Sequence, residues 1–326
     1  MRPFLTGILS LMFFCCCSHP VYQVDETEIG FGSYIRICAR GKTKEATYNA
    51  VRKAFKEMHR LDTLWSIFLD KSEVVQLNRL RRMRVSEETR DLINKGKAMG
   101  EETAGAFDIT VAPLMRLWGF YDRNYRVPES AEVKAMLKRV DYRRVMVSGD
   151  SVILGENVNV DLGGIAVGYA VDRAVAIMES AGLSEGLVDA GGDIRVFGNK
   201  VWRIGVQNPR GEGIVRVLEL KNQAVSTSGD YENFFEVGDQ RYCHIIDPKT
   251  GYPASRWVAV TVLAPNAWEA DAYSTALFSL GDAGREFVSK KQANIQDWSG
   301  AAKWGALFFE MQGDSVVTKK AGRVDE

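Results

Sequence analysis

Apolar residues recur with two different periods along the first hundred residues, and these periods distinguish strands from helices. The segment 29–40, IGFGSYIRICAR, alternates apolar and polar positions as a half-buried strand does. The next segment, 44–66, places its apolar side chains on one helical stripe: Ala50, Ala54, Phe55, Met58, Leu61 and Trp65. The pattern therefore predicts a strand followed by a long amphipathic helix.

Capping residues predict three further helices. Ser86 precedes two glutamates, which suits a serine cap and an acidic first turn, and another helix is expected from Ser130. A third helix should run through residues 165–182, where Gly182 would end it.

Short β-branched segments bounded by Gly, Pro or Asn dominate residues 143–265 and predict strands. These strand segments are 143–164 with a Gly-Asp turn, 186–198, 201–209, 213–229, 241–251 and 257–265. Two helices, 269–280 and 282–292, should then lead to a last strand at 304–311. Because strands and helices do not alternate regularly, we expect an α+β fold with mixed or antiparallel sheets and flanking helices. No repeat or linker divides the chain, so one elaborated domain is expected, and a two-lobed arrangement stays open.

The charge balance argues against one class of partner. Forty-two basic and 42 acidic residues leave no net charge, so no broad positive field attracts nucleic acid or an anionic membrane surface. We expect no nucleic-acid partner, and any anionic ligand must be held locally.

The N-terminus reads as a signal peptide over residues 1–17. Arg2 precedes an apolar run from Phe4 to Phe14 that is too short to span a bilayer. Three cysteines end this run where a bacterial lipoprotein signal carries its lipidated residue, and we assign that role to Cys17. Residues 18–28 would form a tether and residues 29–326 the folded domain. Cleavage by an ordinary signal peptidase, with incidental cysteines, is the alternative.

Only Cys38 and Cys243 remain beyond this segment, each in a strand-like apolar setting. Two such cysteines predict buried free thiols, and they cannot form a cysteine-rich zinc site.

Asp271 and Thr275 are four residues apart near the start of a predicted helix, so their oxygens should lie on one face. Few, hard oxygen ligands suit Mg²⁺, which keeps several waters and takes other contacts from a substrate phosphate. Alternatively, Asp271 only favours the helix N-terminus and Thr275 bonds back to the backbone.

Two glycine-rich stretches could let a ligand approach the backbone. DLGGIAVGYAVD, residues 161–172, places Gly163 and Gly164 at a strand-to-helix junction, where backbone N–H groups can meet a phosphate, although it matches no standard nucleotide fingerprint. DAGGDI, residues 189–194, sets Gly191 and Gly192 before Asp193 at a strand bend. Tight packing and a bulge with a polar lip are the respective alternatives.

Two more stretches carry hydroxyls and a histidine. STSGDYENF, residues 226–234, begins with three hydroxyl side chains: Ser226, Thr227 and Ser228. HIIDPKTGYP, residues 244–253, contains His244 and Asp247. A single histidine serves either structure or acid–base chemistry. Tyr34, in the first strand, could stack on an aromatic ligand or simply belong to the core.

Taken together and in this order, DLGGIAVGYAVD, DAGGDI, STSGDYENF, HIIDPKTGYP and ADAYSTALFSLG resemble the ApbE family, the bacterial FAD:protein FMN transferases. The earlier stretches DKSEVVQLNR and AFDITVAPLMRLWGF fit the same pattern. The resemblance runs from about Ile29 to the C-terminus.

The resemblance implies a lipid-anchored enzyme on the periplasmic side of the bacterial inner membrane. Such an enzyme binds FAD, cleaves its pyrophosphate with Mg²⁺, transfers FMN to a threonine of an acceptor protein and releases AMP. Asp271, Thr275 and the carbonyl of Ala166 would hold the metal, and His244 is the candidate general base. The flavin nucleotide cleft would be lined by Tyr34, Gly163, Gly164, Gly191, Gly192, Asp193, Ser226, Thr227 and Ser228, with Asp247 at its rim.

One position departs from the family pattern, because many members carry lysine where this chain has Val167. Val167 favours one rival function, a non-catalytic flavin-binding lipoprotein. A second rival, an FAD pyrophosphatase that yields FMN and AMP, stays open because the choice of nucleophile depends on whether the cleft admits a threonine and excludes water. The sequence leaves open the acceptor protein, the oligomeric state and the effect of Val167.

Overall fold

The computed structural model describes residues 21–294 and 304–324. The predicted signal peptide and Cys17 lie outside these residues. No helix within them is both long and apolar enough to cross a bilayer.

One large antiparallel sheet organises the described residues. Along the chain the strands are β1 (Tyr22–Gly30), β2 (Ser33–Gly41), β3 (Arg82–Arg84), β4 (Val145–Ser148), β5 (Ser151–Leu154), β6 (Glu185–Ala190), β7 (Asp193–Gly198), β8 (Trp202–Gln207), β9 (Ile214–Leu220), β10 (Gln223–Gly229), β11 (Phe234–Val237), β12 (Gln240–Cys243), β13 (Ala259–Ala264), β14 (Gly305–Gln312) and β15 (Ser315–Gly322). Eight of them form the large sheet in the order β1-β2-β6-β7-β10-β13-β14-β15, and the others pair as β3-β5-β4, β8-β9 and β11-β12.

The helices are α1 (Lys44–Trp65), α2 (Glu73–Leu80), α3 (Glu87–Glu102), α4 (Ala112–Leu117), α5 (Ser130–Leu137), α6 (Gly163–Ser180), α7 (Ala267–Leu280) and α8 (Asp282–Asn294). Helix α6 packs between α1 and α7. The predicted apolar stripe of α1 is buried along its whole length.

Alternating side chains of the large sheet enter two separate cores, as the pleat requires. On β13, Val260 and Val262 join the core formed with α1, α6 and α7. Ala259 and Leu263, which precede and follow this pair, join a second core that includes Val206 of β8 and residues of β9. The sheet therefore carries helices on one face and the β8-β9 ribbon on the other. A third, smaller core lies around Trp118, between α4, α5 and the β11-β12 hairpin.

The α+β prediction is confirmed, since all strand pairs in the described residues are antiparallel and helices flank the large sheet. Ser86 caps α3 as predicted, accepting a hydrogen bond from the amide of Thr89 at 3.2 Å. Cys38 and Cys243 are buried and free, also as predicted.

Several boundaries differ from the sequence-based prediction. The segment 29–40 is not one strand but the end of β1, a turn with positive φ at Phe31 and Gly32, and most of β2. The predicted tether, 18–28, is too long because β1 already begins at Tyr22. Residue 130 does not cap α5, because Glu129 does so in a capping box with Glu132. The strand at 304–311 is followed by β15, which the prediction missed.

Candidate functional site

A cleft of about 930 Å³ opens at the β6-β7 turn of the large sheet, and residues of β8, α6 and α7 contribute to its lining. Most of the predicted site residues line this cleft, although they come from separate segments of the chain. They are Tyr34, Gly163, Gly164, Gly191, Gly192, Asp193, Ser226, Thr227, Ser228, His244, Asp271 and Thr275. The fold therefore gathers the glycine-rich turns, the hydroxyls and the carboxylates in one place.

Gly191 and Gly192 form the two-residue turn between β6 and β7. Their φ angles are +61° and +100°, a region that other L-residues rarely adopt. Asp189 holds the turn in place, since one carboxylate oxygen accepts from the amide of Gly192 at 3.0 Å and the other from the Tyr34 hydroxyl at 3.1 Å. The predicted bend is thus a tight hairpin whose tip faces the cleft.

The beginning of α6 is held from outside the helix. Asp161 accepts hydrogen bonds from the amide of Gly163 at 2.8 Å and from the hydroxyl of Tyr121 at 2.6 Å. A β-carbon on Gly164 would lie 3.5 Å from the Thr275 hydroxyl oxygen and 3.2 Å from the ring of Phe107. The glycine pair therefore brings the start of α6 close to α7.

Asp271 and Thr275 share one face of α7, as their spacing predicts. Asp271 is buried, and its Oδ2 accepts a hydrogen bond from the amide of Gly168 at 3.0 Å. The Thr275 hydroxyl lies 3.3 Å from the hydroxyl of Ser228, which lies 2.8 Å from that of Ser274. Strand β10 and helix α7 thus meet through a continuous row of hydroxyl groups.

Two predicted site residues do not line the cleft. Ala166 is buried in the first turn of α6. Asp247 lies between two lining residues, Ile246 and Pro248, but its carboxylate accepts from the amide of Lys249 at 2.9 Å, and the residue lines a second, smaller cavity. The rim position predicted for Asp247 is therefore occupied by its neighbours.

Carboxyl groups converge in the cleft, and their surroundings disfavour the ionised form. Burial raises the pKa of Asp271 to about 7, and the nearby Glu232 and Asp172 add to this rise, whereas the Gly168 amide opposes it. Burial also raises the pKa of Asp193 well above its ordinary value, with Asp271 contributing and the Ser226 hydroxyl opposing.

Glu232 adds a third carboxyl group. Its side chain is accessible to the solvent in the cleft, yet protein surrounds it closely enough that burial raises its pKa to about 7. Among the described residues, the leading influences on the pKa values of Asp193, Glu232 and Asp271 are burial, neighbouring carboxyl groups and hydrogen-bond donors, and none is a cationic side chain. The cleft is therefore suited to a ligand that brings positive charge with it.

The donor chemistry fits a hard divalent cation. Asp271 and Thr275 offer a carboxylate and a hydroxyl, the oxygen ligands that Mg²⁺ takes in small number while it keeps several waters. Among residues 21–294 and 304–324, no group of three or more His, Cys, Asp or Glu side chains could hold a metal ion by itself. A metal here would depend on few protein ligands and on its substrate.

Burial lowers the pKa of His244, while the charge of Asp161 and a hydrogen bond with the backbone of Asn233 oppose this shift. The Nδ1 atom of His244 is buried and makes no hydrogen bond to a described residue. His244 is thus neutral near pH 7 and faces the cleft.

Sequence reasoning missed part of the cleft wall. Glu232, Phe31 and the β8 residues Ile204–Gln207 also line it, as does Val167. Glu232 lies inside the STSGDYENF stretch, but nothing in the local sequence distinguished its carboxylate from that of Asp230, two residues earlier, which does not line the cleft. The β8 wall could not be foreseen, because it depends on how the ribbon folds back over the sheet.

Comparisons with known proteins agree on one family. A sequence profile described as the ApbE family matches residues 31–297. A protein of Klebsiella pneumoniae (strain 342) named FAD:protein FMN transferase is 33% identical over 279 residues, which cover 80% of this chain and 79% of that protein.

Solved structures show the same relationship in three dimensions. The crystal structure of the ApbE protein from Thermotoga maritima has a TM-score of 0.81 and 37% identity, covering 88% of this chain and 94% of that one. The apo structure of the Pseudomonas stutzeri flavinyl transferase ApbE has a TM-score of 0.80 and 29% identity, covering 92% and 95%.

Proposed function

Because this chain belongs to the ApbE family, we propose that it is an FAD:protein FMN transferase. In the proposed reaction the hydroxyl oxygen of an acceptor threonine attacks the FMN phosphorus of FAD. The pyrophosphate bond breaks, AMP leaves, and FMN remains joined to the threonine by a phosphoester bond. The single observation that carries this proposal is the gathering of the separate motif residues around one cleft.

The residues of the cleft suggest how each part of FAD is held. The turns at Gly163–Gly164 and Gly191–Gly192 present backbone without β-carbons, so the nucleotide can approach closely. Asp271 and Thr275 would hold Mg²⁺ from the wall of the cleft, and Ala166, which is buried in the first turn of α6, would contribute only its backbone carbonyl. Bound there, Mg²⁺ would neutralise pyrophosphate charge and offset the carboxylates of the cleft.

His244 is the proposed general base. It would take the proton from the attacking threonine hydroxyl, since its neutral imidazole has a free nitrogen lone pair at neutral pH. Asp161 supports this role electrostatically because its negative charge favours the imidazolium that forms.

We also propose that the protein is anchored by a lipid on Cys17 and works on the periplasmic side of the inner membrane. The support is the basic residue, short apolar run and cysteines of residues 1–17. The acceptor would then be a protein that exposes a threonine to the same compartment.

The test follows two products at once. Protein purified from cells expressing the full chain is incubated with FAD and Mg²⁺, with and without an acceptor protein, and AMP release and covalent flavin are measured. AMP together with flavinylated acceptor supports the transferase. AMP with free FMN and an unlabelled acceptor would identify a pyrophosphatase, and FAD binding without AMP a flavin carrier.

A matched pair of variants assigns the metal site. Asp271→Asn keeps the size of the side chain and should lower Mg²⁺-dependent AMP release by roughly a hundredfold or more, because a ligand charge is lost. Asp282→Asn, at an exposed carboxylate paired with Arg256, should leave the rate unchanged. Equal rates in the two variants would reject the assignment.

A further inference from the structure

The N-terminus of α7 is capped by a residue from another helix. Asn266, at the N-cap position, makes no side-chain hydrogen bond to the helix. Instead, Asp172 of α6 accepts from the amide of Ala267 at 2.9 Å and from the amide of Trp268 at 3.0 Å. The capping carboxylate thus lies 95 positions away in sequence and belongs to the neighbouring helix.

A second link between the same helices runs in the opposite direction. One turn before Asp172, the amide of Gly168 donates to the carboxylate of Asp271 on α7. A β-carbon on Gly168 would lie 2.4 Å from the carbonyl oxygen of Ala267, so the backbones are in close contact. We name Gly168, Asp172, Ala267, Trp268 and Asp271 the helix clasp. Each helix contributes one carboxylate to it and receives one from the other.

Asp172 also holds a third element. Its Oδ1 lies 2.5 Å from a guanidinium nitrogen of Arg195, and both side chains are largely buried. Arg195 belongs to β7, two residues after Asp193, which lines the cleft. One carboxylate therefore connects the three elements that supply Gly163–Gly164, Asp193 and Asp271.

The partners of Asp172 offset part of the cost of burying its charge. Burial raises the pKa of Asp172, and the charge of Arg195 and the two amide donors oppose that rise. Loss of the carboxylate would leave the buried Arg195 without its ion pair and the amides of Ala267 and Trp268 without an acceptor. Because buried unpaired groups are costly, α7 would shift against α6 to reduce this cost.

We propose that Asp172 is a positioning residue for the cation and phosphate site, since it sets the place of Asp271 and Thr275 relative to the start of α6. The identity of the ligand rests on the proposed function, whereas the geometry of the clasp does not. A capping role without positioning would affect stability alone.

The test compares two carboxylates that each hold the start of another helix. Asp172→Asn weakens the clasp. Glu73→Gln weakens a similar contact outside the cleft lining, where Glu73 of α2 accepts from the amide of Ser86 at the start of α3. Both variants should melt at a lower temperature than the parent protein. Only Asp172→Asn should raise the Mg²⁺ concentration for half-maximal AMP release, by about tenfold or more, with part of the rate restored at high Mg²⁺.

Direct metal binding separates this inference from the proposed function. Mn²⁺ binding, followed by electron paramagnetic resonance well below the melting temperature, should weaken about tenfold in Asp172→Asn and stay unchanged in Glu73→Gln. Mn²⁺ binding can be measured even if the parent protein releases no AMP. Absence of AMP release would contradict the proposed transferase activity but not the role of Asp172.

If Asp172→Asn does not fold, Arg195→Lys keeps the charge, alters the contact and is tested in the same way. Parental Mn²⁺ affinity in a folded clasp variant would overturn the inference.

Discussion

His244 combines two properties that a general base needs. It lies in the wall of the cleft, and burial keeps its imidazole neutral near pH 7. Because the pKa is lowered, the basic form should persist below pH 6.5, the ordinary value for histidine.

We therefore expect His244→Ala to slow the chemical step by roughly a hundredfold or more. At saturating Mg²⁺, which would keep Asp271 ionised, the rate should decline only below pH 6.5, because the lowered pKa of His244 means that this base is protonated at a lower pH than an ordinary histidine. Single-turnover AMP release across pH measures both effects. His59→Ala serves as the control, because His59 lies on α1 and contacts Glu28 outside the cleft. A parental rate in His244→Ala would leave His244 with a scaffolding role.

Individual cleft residues were predictable where their chemistry was unusual for the local structure. Paired glycines at Gly191–Gly192 stood out within a β-branched segment, and the i,i+4 spacing of Asp271 and Thr275 placed both on one face. The burial of Asp271 was not foreseen, because it results from the contact with Gly168 more than a hundred residues earlier.

At the level of elements, the close approach of α6 and α7 depends on a missing side chain. Gly168 has no β-carbon, and adding one would bring it within 2.4 Å of the Ala267 carbonyl oxygen and 2.8 Å of the Asp271 β-carbon. Both neighbours belong to α7, so the helix as a whole would have to move.

Gly168→Ala should therefore lower the free energy of unfolding by about 1–3 kcal/mol, the usual cost of overpacking a close contact. Chemical denaturation measures the change. Gly211→Ala is the matched control, because its nearest neighbour would be the mobile end of the Asn208 side chain at 3.2 Å. Parental stability in Gly168→Ala would show that the helices separate without cost.

Helices and central strands were predicted better than edge strands. The apolar stripe of α1 gave a clear period, whereas β1 and β15 form the two edges of the large sheet and present many polar residues to solvent. The acidic sequence of β1 reads as a tether for the same reason. Turns such as Phe31–Gly32 divided a segment whose alternation suggested one strand, because a non-glycine residue there adopts a positive φ.

On the scale of the whole molecule, the order of strands could not be read from the chain. β10 lies between β7 and β13, and β2 pairs with β6, so neighbours in the sheet are far apart in sequence. That arrangement reflects the packing of the entire core, which no local pattern encodes.

The proposed N-terminal anchor gives a prediction about where the protein is found in the cell. The protein should be recovered in the membrane fraction of expressing cells, and Cys17→Ala should release it if that cysteine carries the lipid. Fractionation followed by immunoblotting measures the distribution, with Cys38→Ala as a control at a buried thiol. Recovery of the unaltered protein in the cytosol would contradict the anchor.

The pairing of β2 with β6 has a consequence for folding during synthesis. Tyr34 and Asp189, which bond across these strands, are 155 positions apart. At a synthesis rate of roughly 5–20 residues per second, the inner edge of the first hairpin waits about 8–30 s for its partner strand. Asp271 and Thr275 emerge later still. The nascent chain therefore exposes the unpaired edge of β2 long before the nucleotide cleft is complete. We expect chaperones that cover exposed strand edges to bind it during this interval.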